Sequence, residues 1–242
     1  ANTDFSSLRS IVYGASPIPE DLLKQSIETF GCGFTQAYGL TETTGAVVLL
    51  PPADHVVGSP RQRSGGRPIV GTEVRIRRGD GSPCDANEGG EIVVGGGMVM
   101  RGYWNRPDAT ASAIRDGWFY SGDAGYLDED GYLYIHDRVK DMIVSGGENV
   151  YPAEVESVLF AHPAVADVAV IGVPDEMWGE SVKAVVVLSP DAQGVEAQAL
   201  MDYCQGKIAC YKRPRSVDFI DALPRNPTGK ILKRELREPY WE

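Results

Sequence analysis

Four short segments of this chain carry side chains that could bind a nucleotide and bring two anions together. They are Tyr-Gly-Leu-Thr-Glu at residues 38–42, Tyr-Ser-Gly-Asp at 120–123, Asp-Arg-Val-Lys-Asp at 137–141 and Pro-Arg-Asn-Pro-Thr-Gly-Lys at 224–230. An aromatic ring offers a face for a base, a threonine hydroxyl can bond a phosphate oxygen, and a carboxylate is a hard ligand for Mg²⁺. A lysine that follows a glycine is a mobile cation, because the glycine gives its loop conformational freedom.

Each of these features also has a purely structural interpretation, which the sequence leaves open. Residues 38–42 would also suit a surface turn, and Asp123 would also suit an Asx turn before a hairpin. Arg138 could form a surface salt bridge. Lys230 could begin a helix, although its charge is slightly unfavourable at a helix N-terminus.

Composition and charge narrow the function classes. The chain has 242 residues, 43% of them hydrophobic and 24% charged, which is ordinary for one large or two smaller globular domains. The net charge of -11 favours solubility and argues against general nucleic-acid binding. Basic residues nevertheless crowd the last part of the chain, which favours a small polyanion such as ATP or coenzyme A, or else a solvated helix face. They are Lys207, Lys212, Arg213, Arg215, Arg225, Lys230, Lys233, Arg234 and Arg237.

The sequence predicts a cytoplasmic protein. No apolar run approaches the roughly 20 residues that a membrane-spanning helix needs, and the first residues lack a signal-peptide pattern. Peripheral membrane contact and the oligomeric state stay open. The four cysteines form no Cys-x-x-Cys pair, which favours reduced thiols, and the three scattered histidines are expected to have structural or surface roles.

Three successive patterns predict a mixed α/β fold. The first part, to residue 38, alternates strand and helix, and residues 56–136 show short alternating runs typical of a small antiparallel sheet or barrel. From residue 141 a compact α/β domain begins. Residues 95–97, three glycines, favour a bulge or bend rather than a phosphate loop, because no helix follows. Helices are predicted at residues 19–30, 152–161, 195–208 and 231–238.

In this order, the four segments resemble the adenylate-forming superfamily of acyl- and aryl-CoA ligases, luciferases and peptide-synthetase adenylation domains. The resemblance covers essentially the whole chain. It implies that residues 1–137 are the C-terminal portion of a large adenylating domain, an α/β segment plus a small β-barrel or sheet. Residues 138–242 would be the small, mobile α/β C-terminal domain.

The resemblance also implies that half of such an enzyme is missing. The Ser/Thr/Gly-rich loop ending in Lys, which cradles the β- and γ-phosphates, has no counterpart before Gly14. Neither does the aromatic segment that lines the acyl pocket from the other side. We therefore expect a fragment that is inactive on its own.

The resemblance assigns roles in binding ATP or AMP and Mg²⁺. Tyr38 would stack on adenine, Thr41 would touch the phosphate and Glu42 would hold Mg²⁺. Asp123 would accept from the ribose hydroxyls, and Lys230 would stabilise the transition state of adenylation. Further nucleotide-binding roles fall on Gly14, Ala15, Gln36, Ala37, Gly39 and Arg138.

A second set of residues is implied in thioester formation. Lys140 occupies the hinge about which the C-terminal domain would swing, and the glycines that follow would clear a path for the pantetheine arm. Those glycines are Gly146 and Gly147; Trp178 would lie at the coenzyme A entrance, Tyr211 would stack on coenzyme A, and Arg213 and Arg215 would bind its phosphates.

The activity implied is that of an ATP-dependent acid–thiol ligase. Such an enzyme would convert a carboxylic acid into an acyl-adenylate and transfer the acyl group to coenzyme A. Lys140, Asp137 and residues 14–17 (Gly-Ala-Ser-Pro) favour a fatty acid. An aryl-CoA ligase of benzoate or cinnamate type, an adenylation domain that loads a carrier protein, and a non-catalytic module are the alternatives.

Overall fold

A computed structural model describes the chain except for residues 1–2, 15–17, 19, 57, 193, 228 and 242 and the side chains of residues 20 and 21. The chain divides into two compact units, Ala1–Ile135 and His136–Glu242. No helix of the described residues is long and apolar enough to cross a membrane.

The first unit begins with a four-stranded sheet and one helix. Strands β1 and β2 are parallel, whereas β2–β3 and β3–β4 are antiparallel. The helix buries Leu23 and ends at Gly31, whose left-handed φ of 59° is typical of a helix C-terminus. The bounds are β1 (Ser10–Gly14), α1 (Glu20–Phe30), β2 (Gly33–Leu40), β3 (Gly45–Leu50) and β4 (Arg67–Pro68).

A second, five-stranded sheet follows in the order β5-β6-β8-β7, with β9 paired to β8. Ile92, Val94, Phe119 and Leu133 of this sheet pack with Val47 and Val48 of β3 in one apolar core. A turn rather than a helix follows β6, as expected from the three glycines. The bounds are β5 (Thr72–Arg77), β6 (Gly90–Gly96), α2 (Pro107–Ala113), β7 (Ile114–Arg115), β8 (Trp118–Leu127) and β9 (Leu133–Arg138).

The second unit is a five-stranded sheet with apolar clusters on both faces. Residues of the long strand Val165–Asp175 point alternately to the two faces. Val168 and Val170 belong to the cluster with Leu159 and Leu200, whereas Ile171 belongs to the cluster with Leu236. The strand order is β11-β10-β13-β12, and β14 is parallel to β13. The bounds are β10 (Ile143–Ser145), β11 (Glu148–Val150), α3 (Pro152–Phe160), β12 (Val165–Asp175), β13 (Gly179–Leu188), α4 (Ala197–Tyr203), β14 (Ser216–Phe219) and α5 (Lys233–Arg237).

Two predicted helices are shorter than the sequence pattern indicated. The helix predicted at residues 195–208 covers only Ala197–Tyr203, and Gly206 (φ 76°) lies in the turn after it. The helix predicted at residues 231–238 begins only at Lys233, because Ile231 forms a β-bridge with Arg225. The mixed α/β class itself is confirmed.

Candidate functional site

Tyr38 and Asp123, the predicted adenine-stacking and ribose-binding residues, are hydrogen-bonded to each other. The Tyr38 hydroxyl donates to Asp123 Oδ2 at 2.8 Å, although the two residues lie 85 positions apart in the sequence. Tyr38 is on β2 of the first sheet and Asp123 on β8 of the second. The bond therefore joins the two sheets of the first unit at the predicted nucleotide site.

A bulge in β8 fixes the position of Asp123. Pairing passes from Glu91↔Ala124 to Val93↔Tyr120, so that residues 121–123 of β8 oppose Ile92 alone. Gly122 takes a left-handed φ of 70° there. The buried Ser121 hydroxyl donates to the Ile92 carbonyl oxygen at 2.7 Å and accepts from the Asp123 amide at 3.0 Å. The serine and glycine of the 120–123 segment thus form the bulge that sets the position of the Asp123 carboxylate.

The turn at Thr41–Thr43 is organised by its third residue. Thr43 is fully buried, and its hydroxyl accepts from the Leu40 amide at 2.9 Å and lies 2.8 Å from the Gly45 carbonyl oxygen. Thr44 closes the turn with a left-handed φ of 60°. This arrangement leaves Thr41 exposed and Glu42 partly exposed, as binding a phosphate and a cation would require.

Gly14 and Gly39 lie where the neighbouring strand leaves no room for a side chain. A Cβ on Gly39 would lie 2.0 Å from the Gly45 carbonyl oxygen, and one on Gly14 would lie 2.1 Å from that of Ala37. The structure shows that both glycines allow close approach between strands, and their nucleotide-binding roles stay predictions. Ala15, also predicted in this segment, lies outside the described residues.

A tyrosine that sequence reasoning did not assign to the site lies beside Gln36, and a histidine contacts that tyrosine. The parallel register pairs Tyr13 with Gln36. His55 Nδ1 must donate to the Pro51 carbonyl oxygen at 3.0 Å, so in the neutral ring Nε2 accepts from the Tyr13 hydroxyl at 2.9 Å. Burial raises the pKa of Tyr13 to about 12, which keeps the hydroxyl protonated. Recognising that β1 and β2 are parallel would have pointed to Tyr13.

Glu42, the predicted Mg²⁺ ligand, accepts a hydrogen bond from a tyrosine that the sequence did not single out. The Tyr103 hydroxyl donates to Glu42 Oε1 at 2.8 Å. Among the described residues, no group of three or more His, Cys, Asp or Glu side chains could hold a metal. Mg²⁺ is commonly bound by one or two carboxylates together with substrate phosphates. A single carboxylate at Glu42 fits that kind of shared site.

Lys230 lies on a tight loop in the second unit. Arg225 and Ile231 form an antiparallel bridge, and the Asn226 amide donates to the Lys230 carbonyl oxygen at 2.9 Å. Asn226 Oδ1 accepts from the Lys230 amide at 2.9 Å, and Gly229 takes a φ of 86°. The Lys230 backbone is therefore fixed while its side chain is exposed.

Lys233 and Arg237 differ from the solvated or polyanion-binding residues that the sequence suggested. Lys233 Nζ lies 2.8 Å from Glu156 and 3.2 Å from Asp137, with only 13% of its side chain exposed. Burial lowers the pKa of Lys233, but Glu156 and Asp137 outweigh burial and raise it overall. Arg237 pairs with Asp141. Both basic side chains thus hold helix α5 to the rest of the unit.

The predicted hinge lies beside these ion pairs. Arg138 precedes the turn Val139–Asp141, and its amide donates to Asp137 Oδ1 at 2.7 Å. Lys140 is exposed at the centre of the turn, and its carbonyl oxygen accepts from Arg237 Nη1 at 3.2 Å. Helix α5 therefore contacts the turn that carries Lys140.

Three of the residues predicted to contact coenzyme A meet at one place. The Gly146 amide donates to the Trp178 carbonyl oxygen at 2.9 Å, and a Cβ on Gly146 would lie 2.6 Å from the indole. The Arg215 guanidinium carbon lies 4.6 Å from the Trp178 ring centroid, within cation–π range. Gly147, with a φ of 84°, follows directly.

Tyr211 and Arg213 are elsewhere in the second unit. They lie at the short helical turn Cys210–Lys212, with Tyr211 38% exposed and Arg213 Nη2 2.5 Å from Cys210 Sγ. Within the described part of the chain, no hydrogen bond, ion pair or ring contact joins either residue to Trp178. Their predicted contacts with coenzyme A stay predictions.

The chain matches two protein families and several characterised proteins. The family described as AMP-binding enzyme matches residues 1–104, and AMP-binding enzyme C-terminal domain matches residues 154–230. A fatty acid–[acyl-carrier-protein] ligase, ScoC, from Streptomyces coeruleorubidus is 48% identical over 98% of this chain and 46% of its own length. A feruloyl-CoA synthase from an Amycolatopsis species is 47% identical over 99% of this chain and 48% of its own length.

Solved structures of o-succinylbenzoate CoA synthetase (MenE) from Bacillus subtilis are also similar. The complex with the acyl-adenylate intermediate OSB-AMP has a TM-score of 0.86 and 43% identity, covering 95% of this chain and 46% of that one. The complex with ATP and magnesium ion has a TM-score of 0.85 and 42% identity, covering 94% and 46%. The chain spans about half the length of these relatives. It belongs to the family of AMP-binding, adenylate-forming enzymes.

Proposed function

We propose that the complete protein containing this chain is an ATP-dependent ligase that activates a fatty acid as an acyl-adenylate and transfers it to coenzyme A. The observation that carries the proposal is the Tyr38–Asp123 hydrogen bond of 2.8 Å, which places an aromatic face beside a carboxylate. This combination suits an adenosine, because its base can stack on the ring while its ribose hydroxyls donate to the acid.

The first half-reaction joins two anions. A carboxylate oxygen of the acid attacks the α-phosphorus of ATP, and the bond to pyrophosphate breaks. Thr41 and Glu42 lie at an accessible turn, where a hydroxyl could donate to a phosphate oxygen and a carboxylate could hold Mg²⁺. Mg²⁺, when bound, would neutralise charge on the phosphates. The exposed ammonium of Lys230 would bridge the attacking carboxylate and the α-phosphate as charge builds between them.

The second half-reaction transfers the acyl group from AMP to a thiol. The thiol sulfur attacks the acyl carbonyl carbon, its proton is lost, and AMP leaves. The Gly146–Trp178–Arg215 group supports coenzyme A as the acceptor, because the indole and guanidinium, which Gly146 allows to lie close to the backbone, suit stacking and phosphate contacts. Lys140, exposed on its turn, would be the hinge between the two half-reactions.

The relatives favour a second candidate for the acceptor. ScoC, at 48% identity, is named for loading a fatty acid onto an acyl-carrier protein. The feruloyl-CoA synthase at 47% identity uses coenzyme A with an aryl acid, as its name states. Similarity alone therefore separates neither acyl-CoA from acyl-carrier products nor fatty from aryl acids.

The deciding experiment is a substrate matrix with the complete gene product. Pyrophosphate release would be measured for fatty acids of several lengths and for benzoate- and cinnamate-type acids, each with coenzyme A or with a phosphopantetheinylated carrier protein. The proposal predicts release with fatty acids and consumption of coenzyme A. If pyrophosphate release were coupled only to the carrier protein, the acceptor would be the carrier protein rather than coenzyme A. If aryl acids were preferred, the substrate would be an aryl acid rather than a fatty acid. Absence of release with every acid would favour a non-catalytic module.

A further inference from the structure

The carboxylate of Glu42 has a specific protein partner, which lies far from it in the sequence. Tyr103 is 61 residues downstream, and its hydroxyl donates to Glu42 Oε1 at 2.8 Å. This bond engages one carboxylate oxygen with a neutral donor. The Glu42 charge is not cancelled by it, because a hydroxyl contributes no positive charge.

The segment before Tyr103 is attached to the turn that carries Glu42. The Met100 amide donates to the Glu42 carbonyl oxygen at 2.7 Å. The Thr44 hydroxyl donates to the Met98 carbonyl oxygen at 2.5 Å. These two contacts hold residues 98–100 against the turn, and neither of them involves the Glu42 carboxylate.

Helix α2 holds Tyr103 from the other side. The Tyr103 amide donates to the Thr110 hydroxyl at 2.9 Å, and that hydroxyl in turn lies 2.9 Å from the Arg106 carbonyl oxygen. A Cβ on Gly102 (φ 151°) would lie 2.7 Å from Thr110 Cγ2, so glycine allows this close approach. Tyr103 is therefore placed by its backbone, and its hydroxyl meets Glu42 as a consequence.

A carboxylate bound through one oxygen has a defined orientation. Hydrogen bonds to metal-ligating carboxylates commonly set the direction of the ligating oxygen, and losing one weakens metal affinity about 10- to 100-fold. With one lone pair of Oε1 accepting from the Tyr103 hydroxyl, the carboxylate keeps further lone pairs, on Oε2 above all, for a cation.

We propose that Tyr103 is a positioning residue that orients Glu42 for the Mg²⁺ complex of a nucleoside triphosphate. The inference rests on the proposed function, because that proposal assigns Mg²⁺ to Glu42. It adds a residue outside the four nucleotide segments and predicts a role in the dependence on Mg²⁺ rather than in the binding of the base.

The test compares two tyrosine-to-phenylalanine variants of the complete gene product. Tyr103→Phe removes the hydroxyl bound to Glu42. Tyr132→Phe is the matched control, because its hydroxyl also donates to a carboxylate, Asp54 Oδ2, at 3.0 Å. ATP binding without acid would be measured by calorimetry across a Mg²⁺ series, and melting temperature and ATP–pyrophosphate exchange would be recorded for each protein.

The proposal predicts that Tyr103→Phe raises the Mg²⁺ concentration for half-maximal ATP binding by about tenfold or more. ATP binding without Mg²⁺ should be unchanged, and Tyr132→Phe should follow the wild type in both measurements. In a double variant with Glu42→Gln, the loss of the hydroxyl should have no further effect on Mg²⁺ dependence, because both changes remove one interaction.

Three results would contradict parts of this account in distinguishable ways. A Tyr103→Phe enzyme with wild-type Mg²⁺ dependence would overturn the positioning role and leave the proposed function standing. If Tyr103→Phe shifted the Mg²⁺ dependence of ATP binding but the wild type showed no ATP–pyrophosphate exchange, the positioning role of Tyr103 would be supported and the proposed ligase activity would be contradicted. Wild-type ATP binding that is indifferent to Mg²⁺ would overturn both.

Discussion

The carboxylates of the predicted nucleotide site in the first unit and those beside helix α5 in the second unit have different partners. In the first unit, Glu42 and Asp123 accept hydrogen bonds from the hydroxyls of Tyr103 and Tyr38. In the second unit, Glu156, Asp137 and Asp141 pair with Lys233 and Arg237. A tyrosine hydroxyl orients a carboxylate and leaves its charge in place, whereas an ammonium or guanidinium neutralises it. The hydroxyl partner suits an acid such as Glu42, which is proposed to bind a cation, and the charged partners suit acids that hold helix α5 in place.

The lysines of the second unit also differ in whether they are paired with a carboxylate. Lys233 and Lys212 are partly buried and paired with carboxylates, Lys212 lying 2.6 Å from Glu154. Lys140 and Lys230 are exposed on turns instead. Fixing a cation in an ion pair occupies it, so the exposed lysines are the ones that remain accessible to an anionic substrate. These lysines therefore fall into cations paired with carboxylates and cations exposed on turns.

The largest effect on stability is expected for Lys233→Met. The change leaves Glu156 and Asp137 partly buried without their cation, and breaking such a pair typically costs about 3–5 kcal/mol. Arg234→Met is the matched control, because Arg234 is the next residue and is exposed. Chemical denaturation of the complete enzyme would measure both. Equal stabilities for the two variants would show that the ion pairs do not hold the unit together.

A smaller effect is expected for Gly39→Ala in the first unit, where packing rather than charge fixes the site. The new Cβ would lie 2.0 Å from the Gly45 carbonyl oxygen, and overpacking of this kind costs about 1–3 kcal/mol. Gly97→Ala is the control, because a Cβ there would meet nothing within 4 Å. Both variants would be compared by thermal unfolding and by their affinity for ATP. If Gly39→Ala matched Gly97→Ala in both, the strand contact would not be needed to shape the turn.

The smallest effect concerns His136, which stacks on Tyr151 with ring centroids 4.3 Å apart. Burial lowers the pKa of His136 below its ordinary value of 6.5, so the folded state favours the neutral ring. The contribution of His136 to the free energy of unfolding is therefore fully present above pH 6.5. It is lost as the pH falls through that value towards the lower pKa of the folded state. His136→Gln should flatten this part of the stability–pH profile. Superimposable wild-type and variant profiles would show that His136 is not protonated on unfolding in this range.

The sequence predicts the fold class and most elements, because glycines, prolines and apolar periodicity act locally. It fails where tertiary pairing overrides a local pattern. Ile231 fits a helix by periodicity but pairs with Arg225 as a bridge, so α5 begins later. The ion pairs of Lys233 could not be read from the sequence, since Asp137 lies 96 residues away.

The candidate site shows the same limit. Tyr38, Glu42 and Asp123 stand out because each belongs to a short segment with suitable chemistry. Tyr103 and Tyr13 do not, because their roles arise only from contacts across strands and loops. A tyrosine surrounded by ordinary surface residues carries no local signal of the carboxylate that it meets.

The most direct test is the rate of acyl-adenylate formation in a single turnover of the complete enzyme carrying Lys230→Ala, with Arg234→Ala as the exposed basic control. Losing an electrostatic contact to the transition state should slow adenylation by about 100- to 1,000-fold. Because Lys230 is exposed, the melting temperature should not change. Thioester formation from a supplied acyl-adenylate should be retained, because the proposed role of Lys230 is in adenylation. Adenylation by Lys230→Ala at the rate of Arg234→Ala would contradict the account.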